Sequence, residues 1–135
     1  MTTPTPHIRH SDPPTLPKVP GYTQVVAATG GTTLYISGQV ALRPDGTFVG
    51  AGDFEAQTVQ AFENVRAALE AAGATFAHVV KLTYFVLDAT QLPVVRAVRD
   101  RYVNVQAPPA STAVEVRRLF RDDCLIEVEA IAVLP

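Results

Sequence analysis

Glu127 and Glu129 stand two residues apart in the run Leu125-Ile126-Glu127-Val128-Glu129-Ala130-Ile131-Ala132-Val133, whose other members are apolar. Alternation along a strand places both carboxylates on one face, about 6.6 Å apart. An unpaired carboxylate withdrawn from water is destabilising by several kcal/mol or more. Either that face meets solvent or basic partners, or one carboxylate lines a small-molecule pocket. A second strand-like run, Pro109-Ala110-Ser111-Thr112-Ala113-Val114-Glu115-Val116, puts Ser111, Ala113 and Glu115 on a common face. Hydroxyls, backbone amides and one or two carboxylates suit proton transfer and water activation. Other chemistries find no support. The chain lacks a phosphate-cradling glycine loop, a dinucleotide fingerprint and zinc-ligand spacing, so neither cofactor nor metal is expected. His78 is the only histidine outside the N-terminal segment and reads as structural, while Cys124 reads as a small core residue.

These residues need elements to position them. Arg121-Asp122-Asp123 is polar enough to reverse the chain, so the two runs are expected to form an antiparallel hairpin. Residues 22–28 and 32–36 read as strands around the hairpin signal Thr29-Gly30-Gly31. Ser37-Gly38-Gln39 interrupts the second of them, where glycine permits a bulge, a close backbone approach by a ligand, or a simple kink. Arg43-Pro44-Asp45-Gly46 is a turn. Asp53 can cap a helix that Gly73 ends, with Val59, Phe62, Val65, Leu69 and Ala72 as its apolar stripe. On that helix Arg66 and Glu70 are expected to pair at the surface, and Asn64 to bond to nearby backbone. Residues 79–87 form a nearly continuous apolar strand, expected to be covered on both faces. A second helix is predicted over 90–103, with Pro93 in its first turn and Leu92, Val95, Val98 and Tyr102 inward. Arg96, Arg99 and Arg101, with Asp100 among them, read as a solvated face. The order β-β-α-β-α-β-β predicts an α+β domain with two helices packed on a mixed sheet.

Bulk properties narrow the function. A chain of 135 residues suits one domain, here 21–135, preceded by a flexible arm over 1–20 that holds six prolines. His7 and His10 in that arm are expected to be solvated. A net charge of −2 gives no general pull toward nucleic acid. No run approaches the roughly 20 apolar residues of a membrane span, and a single cysteine fits a reducing, cytoplasmic setting. An apolar sheet face on a small domain is commonly hidden by oligomerisation.

A set of motifs adds to this reading. Gly21-Tyr22-Thr23-Gln24, Ile36-Ser37-Gly38-Gln39, Asn64-Val65, Leu69-Glu70-Ala71-Ala72-Gly73, Val80-Lys81-Leu82-Thr83-Tyr84-Phe85-Val86, Pro109-Ala110-Ser111-Thr112 and Ile126-Glu127-Val128-Glu129-Ala130 occur in that order. As an ordered set they resemble the Rid family of reactive intermediate deaminases, also called YjgF-like or L-PSP endoribonuclease-like. The resemblance implies a chorismate-mutase-like fold, a homotrimer, and intersubunit clefts that bind a small metabolite. It also implies hydrolysis of enamines and imines without metal or cofactor. By position, Tyr22 would border the cleft and Ser37 and Gly38 would line it. Phe85, Ser111, Thr112 and Ala113 would add to its wall, and Glu127 would orient water or handle protons.

The chain departs from that pattern at two positions. Where deaminating members carry an arginine that clamps the substrate carboxylate, it has Ser111, and a frequent family cysteine is Ala113. One neutral hydroxyl in place of a charged fork weakens carboxylate anchoring. Arg117 and Arg118 do not substitute for it. The first would lie roughly 20 Å along a strand from Ser111, and the second has the opposite parity. An enamine or imine hydrolase of an arginine-lacking branch and a non-catalytic metabolite-binding trimer are therefore both compatible with the sequence. A ribonuclease or translation inhibitor ranks third, for want of a basic surface.

Overall fold

The computed structural model describes residues 6–135. In chain order these form β1 (Ile8–Ser11), β2 (Val25–Ala28), β3 (Thr32–Gln39), α1 (Phe54–Ala71), β4 (Val79–Val86), α2 (Leu92–Arg99), β5 (Ala110–Glu115) and β6 (Ile126–Leu134). Short 3-10 turns precede β4 and α2. The main sheet has the order β3-β6-β4-β5, antiparallel except for the parallel pair β4–β5. The α+β architecture, two helices on a mixed sheet, is as the sequence predicts.

Pairing within the sheet differs from the expectation. Neither predicted hairpin forms: β6 lies between β3 and β4, β5 pairs with β4, and β2 pairs with β1. The reason is the crossover through α2. It returns the chain in the direction of β4, so β5 adds in parallel at the edge. β6 can then bond on both sides instead of one.

Helix α1 begins where the Asp53 carboxylate accepts the Ala56 amide at 3.0 Å. It ends in a Schellman arrangement, Ala74 N–H to Leu69 O and Gly73 N–H to Glu70 O. Ala61, Phe62, Val65 and Leu69 are fully buried on β3 and β6. Burying each of the larger ones contributes roughly 1.5–3 kcal/mol. Val59 is half-buried, and Ala72 is exposed as the cap. Two polar side chains stitch this helix to distant backbone. Buried Gln57 donates to Gly50 O and Asp123 O and accepts from the Leu125 amide, fixing the entry to β6. Asn64 donates to Val40 O and Leu42 O after β3, a long-range tie where a local bond was expected. Arg66 contacts Glu63, not Glu70, and lies over the Tyr102 ring.

Helix α2 is shorter than predicted, and residues 100–103 continue as turns. Val95 and Val98 are buried as expected, and so is Arg99. In β4 the side chains of Leu82, Tyr84 and Val86 enter the core, while Lys81, Thr83 and Phe85 are half-buried on the other face. The expected cover on both faces is therefore not met within one chain. The N-terminal segment also departs from expectation. β1 pairs along β2, Ile8 is buried, and His7 Nε2 donates to Val133 O at 2.7 Å. Residues 1–5 of the predicted arm lie outside the described residues.

Candidate functional site

The sheet divides the predicted site residues into two groups. Paired residues on neighbouring strands share a face. Ser111 pairs with Leu82 and Ala113 with Tyr84, so both sit on the helix-covered side of the edge strand β5. Glu127 pairs with Phe85 and Glu129 with Thr83, which places both carboxylates on the open side. Within one chain Ser111 and Glu127 thus face opposite ways.

On the open side, β3 bulges between Ile36 and Gln39, and the bulge brings the Gly38 backbone against Glu127. A Cβ at Gly38 would overlap the carboxylate and lie 2.8 Å from Glu127 Cγ. Only glycine leaves that space to the glutamate. Ser37 in the same bulge is exposed, and Phe85 is half-buried beside Glu127. Neither Glu127 nor Glu129 closes an ion pair or side-chain hydrogen bond among the described residues. Lys81, on the same face, gives its ammonium to Thr112 Oγ1 at 2.7 Å. A half-buried carboxylate with its lone pairs open is suited to accept a proton from water.

On the helix side, a cavity of about 540 Å³ opens between α2, the β4–β5 edge and residues 19–22. Tyr22, Ser111, Thr112 and Ala113 line it, four of the residues expected at a substrate site. Val19, Pro20, Leu92 and Val95 supply an apolar wall. Buried Thr23 fastens the 19–22 segment to the start of β5, its hydroxyl donating to Pro108 O at 2.5 Å and its amide to Pro109 O at 3.2 Å. Three further polar residues, Tyr84, Arg96 and Arg99, line the same cavity and were not anticipated from sequence. Arg99 is only 5 % exposed, and its Nε and Nη2 both donate to Asp100 Oδ1 at 2.9 and 2.8 Å. It is a buried, pinned guanidinium, which corrects its reading as part of a solvated face. The Tyr84 hydroxyl is buried beside the Ser111 and Arg99 side chains. Burial pushes its pKa well up, so the group stays protonated, and the nearby Arg99 charge offsets this only in part. The sequence signal was a tyrosine at an inward position of β4 with no local partner, legible only once α2 is docked above it.

Cys124 and His78 stay outside both regions. Cys124 is fully buried, with burial raising its thiol pKa. His78 Nδ1 accepts the Thr75 amide in a capping box, a structural role as expected.

Known proteins share this fold. YyfB of Yersinia pestis, a protein of the conserved Rid family, has a crystal structure that superposes with a TM-score of 0.79 at 34 % identity, covering 95 % of this chain and 99 % of that one. E. coli TdcF with bound serine aligns with a TM-score of 0.68 at 32 % identity, over 78 % of this chain and 83 % of TdcF. The 2-iminobutanoate/2-iminopropanoate deaminase of Salmonella typhimurium is 40 % identical over 105 residues, 76 % of this chain and 80 % of the relative. Residues 15–134 match the family described as Endoribonuclease L-PSP. With the mixed sheet, the bulge at Gly38 and the ordered motifs, these likenesses establish that the chain belongs to the Rid, or YjgF-like, family.

Proposed function

We propose that this protein hydrolyses an enamine- or imine-type compound to a carbonyl product and ammonia. The cleft would be completed by a second copy of the chain within a homotrimer. Water adds to the imine carbon, forming the C–O bond, while Glu127 takes a proton from that water. That proton passes to nitrogen, the hydroxyl proton of the resulting adduct follows it there, the C–N bond breaks, and ammonia leaves as the carbonyl forms. An enamine first takes a proton at carbon and releases one from nitrogen to become the imine. No metal or redox partner enters this balance. The observation that carries the reading is the unpaired Glu127 carboxylate held in the β3 bulge on an open sheet face, in a chain 40 % identical to a named imine deaminase. The opposite facing of Ser111 and Glu127 supports an intersubunit site, because one copy can offer its β5 edge to the open face of another. A cytoplasmic setting fits the unstable substrates of such an enzyme.

The test follows ammonia from freshly generated 2-iminopropanoate, with the uncatalysed rate subtracted. Wild-type protein should accelerate release, and Glu127→Gln should lose about 10²-fold or more of that acceleration, as for removal of a general base, with its circular dichroism unchanged. Glu129→Gln should retain most activity. No acceleration by wild type would favour the second reading, a trimer that binds a metabolite without turnover. Serine bound in TdcF is the observation behind that alternative.

A further inference from the structure

All three histidines of the chain belong either to the docked N-terminal strand or to the turn beside it. His7 Nε2 donates to Val133 O at 2.7 Å, the bond that ties the arm to β6. A carbonyl only accepts, so in the neutral ring the other nitrogen, Nδ1, carries no proton. That Nδ1 is buried and has no hydrogen-bond partner. Protonation would give it an N–H aimed at no acceptor, and a buried unsatisfied donor is destabilising. His78, its ring centroid 6.1 Å from that of His7, accepts the Thr75 amide on Nδ1, a role open only to a neutral imidazole. His10, three residues along, is held below the ordinary histidine range by burial, which Asp12 offsets only in part. The remaining charged groups here are Arg9 and Asp12 on the arm and the terminal carboxylate of Pro135 beyond β6. None closes an ion pair with a histidine among the described residues, and β2 is wholly apolar.

We propose that the docked arm is a proton-sensitive latch, closed by neutral His7 on β6 and opened when His7 and His10 take up protons. A histidine that cannot keep its proton when docked contributes stability that is full above about pH 6.5 and is lost as pH falls below it. One such histidine weakens docking about tenfold at about pH 5.5, one unit below its free value. The arm leads into residues 12–22, and Val19, Pro20 and Tyr22 of that segment wall the helix-side cavity. Acid thus removes one support of that wall, while the other, Thr23 bonded to Pro108 and Pro109, stays in place. The latch operates alike in an enzyme and in a binding protein.

The experiment measures amide hydrogen exchange of the full chain at about pH 7.5 and about pH 5.5, each rate corrected for the intrinsic pH dependence of exchange. The amides of β2 that bond to β1, and the Thr29 amide that donates to His7 O at 2.9 Å, report the latch. Their protection should fall at least about tenfold at the lower pH, while the amides of β4 and β6 keep theirs. In the double variant His7→Gln/His10→Gln both side chains stay neutral, and the amide at position 7 can still donate to Val133 O. Its protection should be the same at both pH values. Equal protection in wild type at both values would overturn the latch. So would an equal loss across β4 and β6, which is acid unfolding of the whole domain. A pH dependence that survives in the double variant would overturn it as well. Should that variant fail to fold, the wild-type comparison of β2 with β6 decides.

Discussion

A methyl group on Gly38 would enter the space the Glu127 side chain occupies, so the carboxylate's position depends on a residue in a different strand. Gly38 is not among the glycines with positive φ, so its backbone admits alanine. The substitution would then stabilise the fold by about 0.4–1 kcal/mol through the unfolded chain if the glutamate could simply move aside. Displacing a catalytic group by about 1 Å, in contrast, can cost on the order of 10²-fold in rate. Gly38→Ala should therefore leave the melting temperature level or slightly raised while slowing imine hydrolysis at least about tenfold. Unchanged kinetics alongside unchanged stability would show that the bulge does not place Glu127. Some of this was legible in the sequence. Gly38 inside a strand pattern signalled a bulge or a close approach, and Glu127 stood out as a carboxylate in an apolar run. Arg99 was not legible, because an arginine among arginines and aspartate looks solvated until Tyr84 and Gly21 close around it. Asn64 was misread for a related reason, its carbonyl partners being more than twenty residues away along the chain.

Among the elements, α1 was the easiest to read, since its stripe, its aspartate cap and its terminal glycine all agree. The strands were harder. Neighbouring strands in sequence usually pair, and that rule predicted two hairpins; a crossover helix and a strand bonded on both sides defeat it, and neither leaves a local mark. The N-terminal segment misled for want of a pattern, since four residues between prolines show too little periodicity to reveal β1. Its docking has a measurable consequence. Ile8 is 6 % exposed, and His7 bonds to β6 through Val133. Ile8→Ala should destabilise by about 2 kcal/mol, at the low end for a buried isoleucine because the site is peripheral. That corresponds to a fall in melting temperature on the order of 5–10 °C. Removal of residues 1–11 should cost at least as much in the same melt. A truncated chain as stable as wild type would mean that β1 packs without holding anything.

For the molecule as a whole, the open sheet face is the feature that asks for a partner. Tyr35 stands 79 % exposed on it, with half-buried Phe85 and Ile131 nearby. Such a surface on a small chain favours self-association. Light scattering after gel filtration should give about three times the 14.5 kDa chain mass at micromolar protein. Tyr35→Asp should shift that mass toward the monomer while the circular dichroism stays native, since the side chain touches little in its own chain. A wild-type monomer would refute the trimer and the shared cleft together. The sheet order carries one more consequence, for how the protein is made. β6, the strand bonded on both sides, follows both its partners in the chain. Until residues 126–134 have been synthesised and released, β3 and β4 have no strand between them. The nascent chain at that stage carries α1 and two strands with bare edges, the kind of species that chaperones shield. Glu127 arrives with β6, so the sheet and the carboxylate on its open face are completed in the same late step of synthesis.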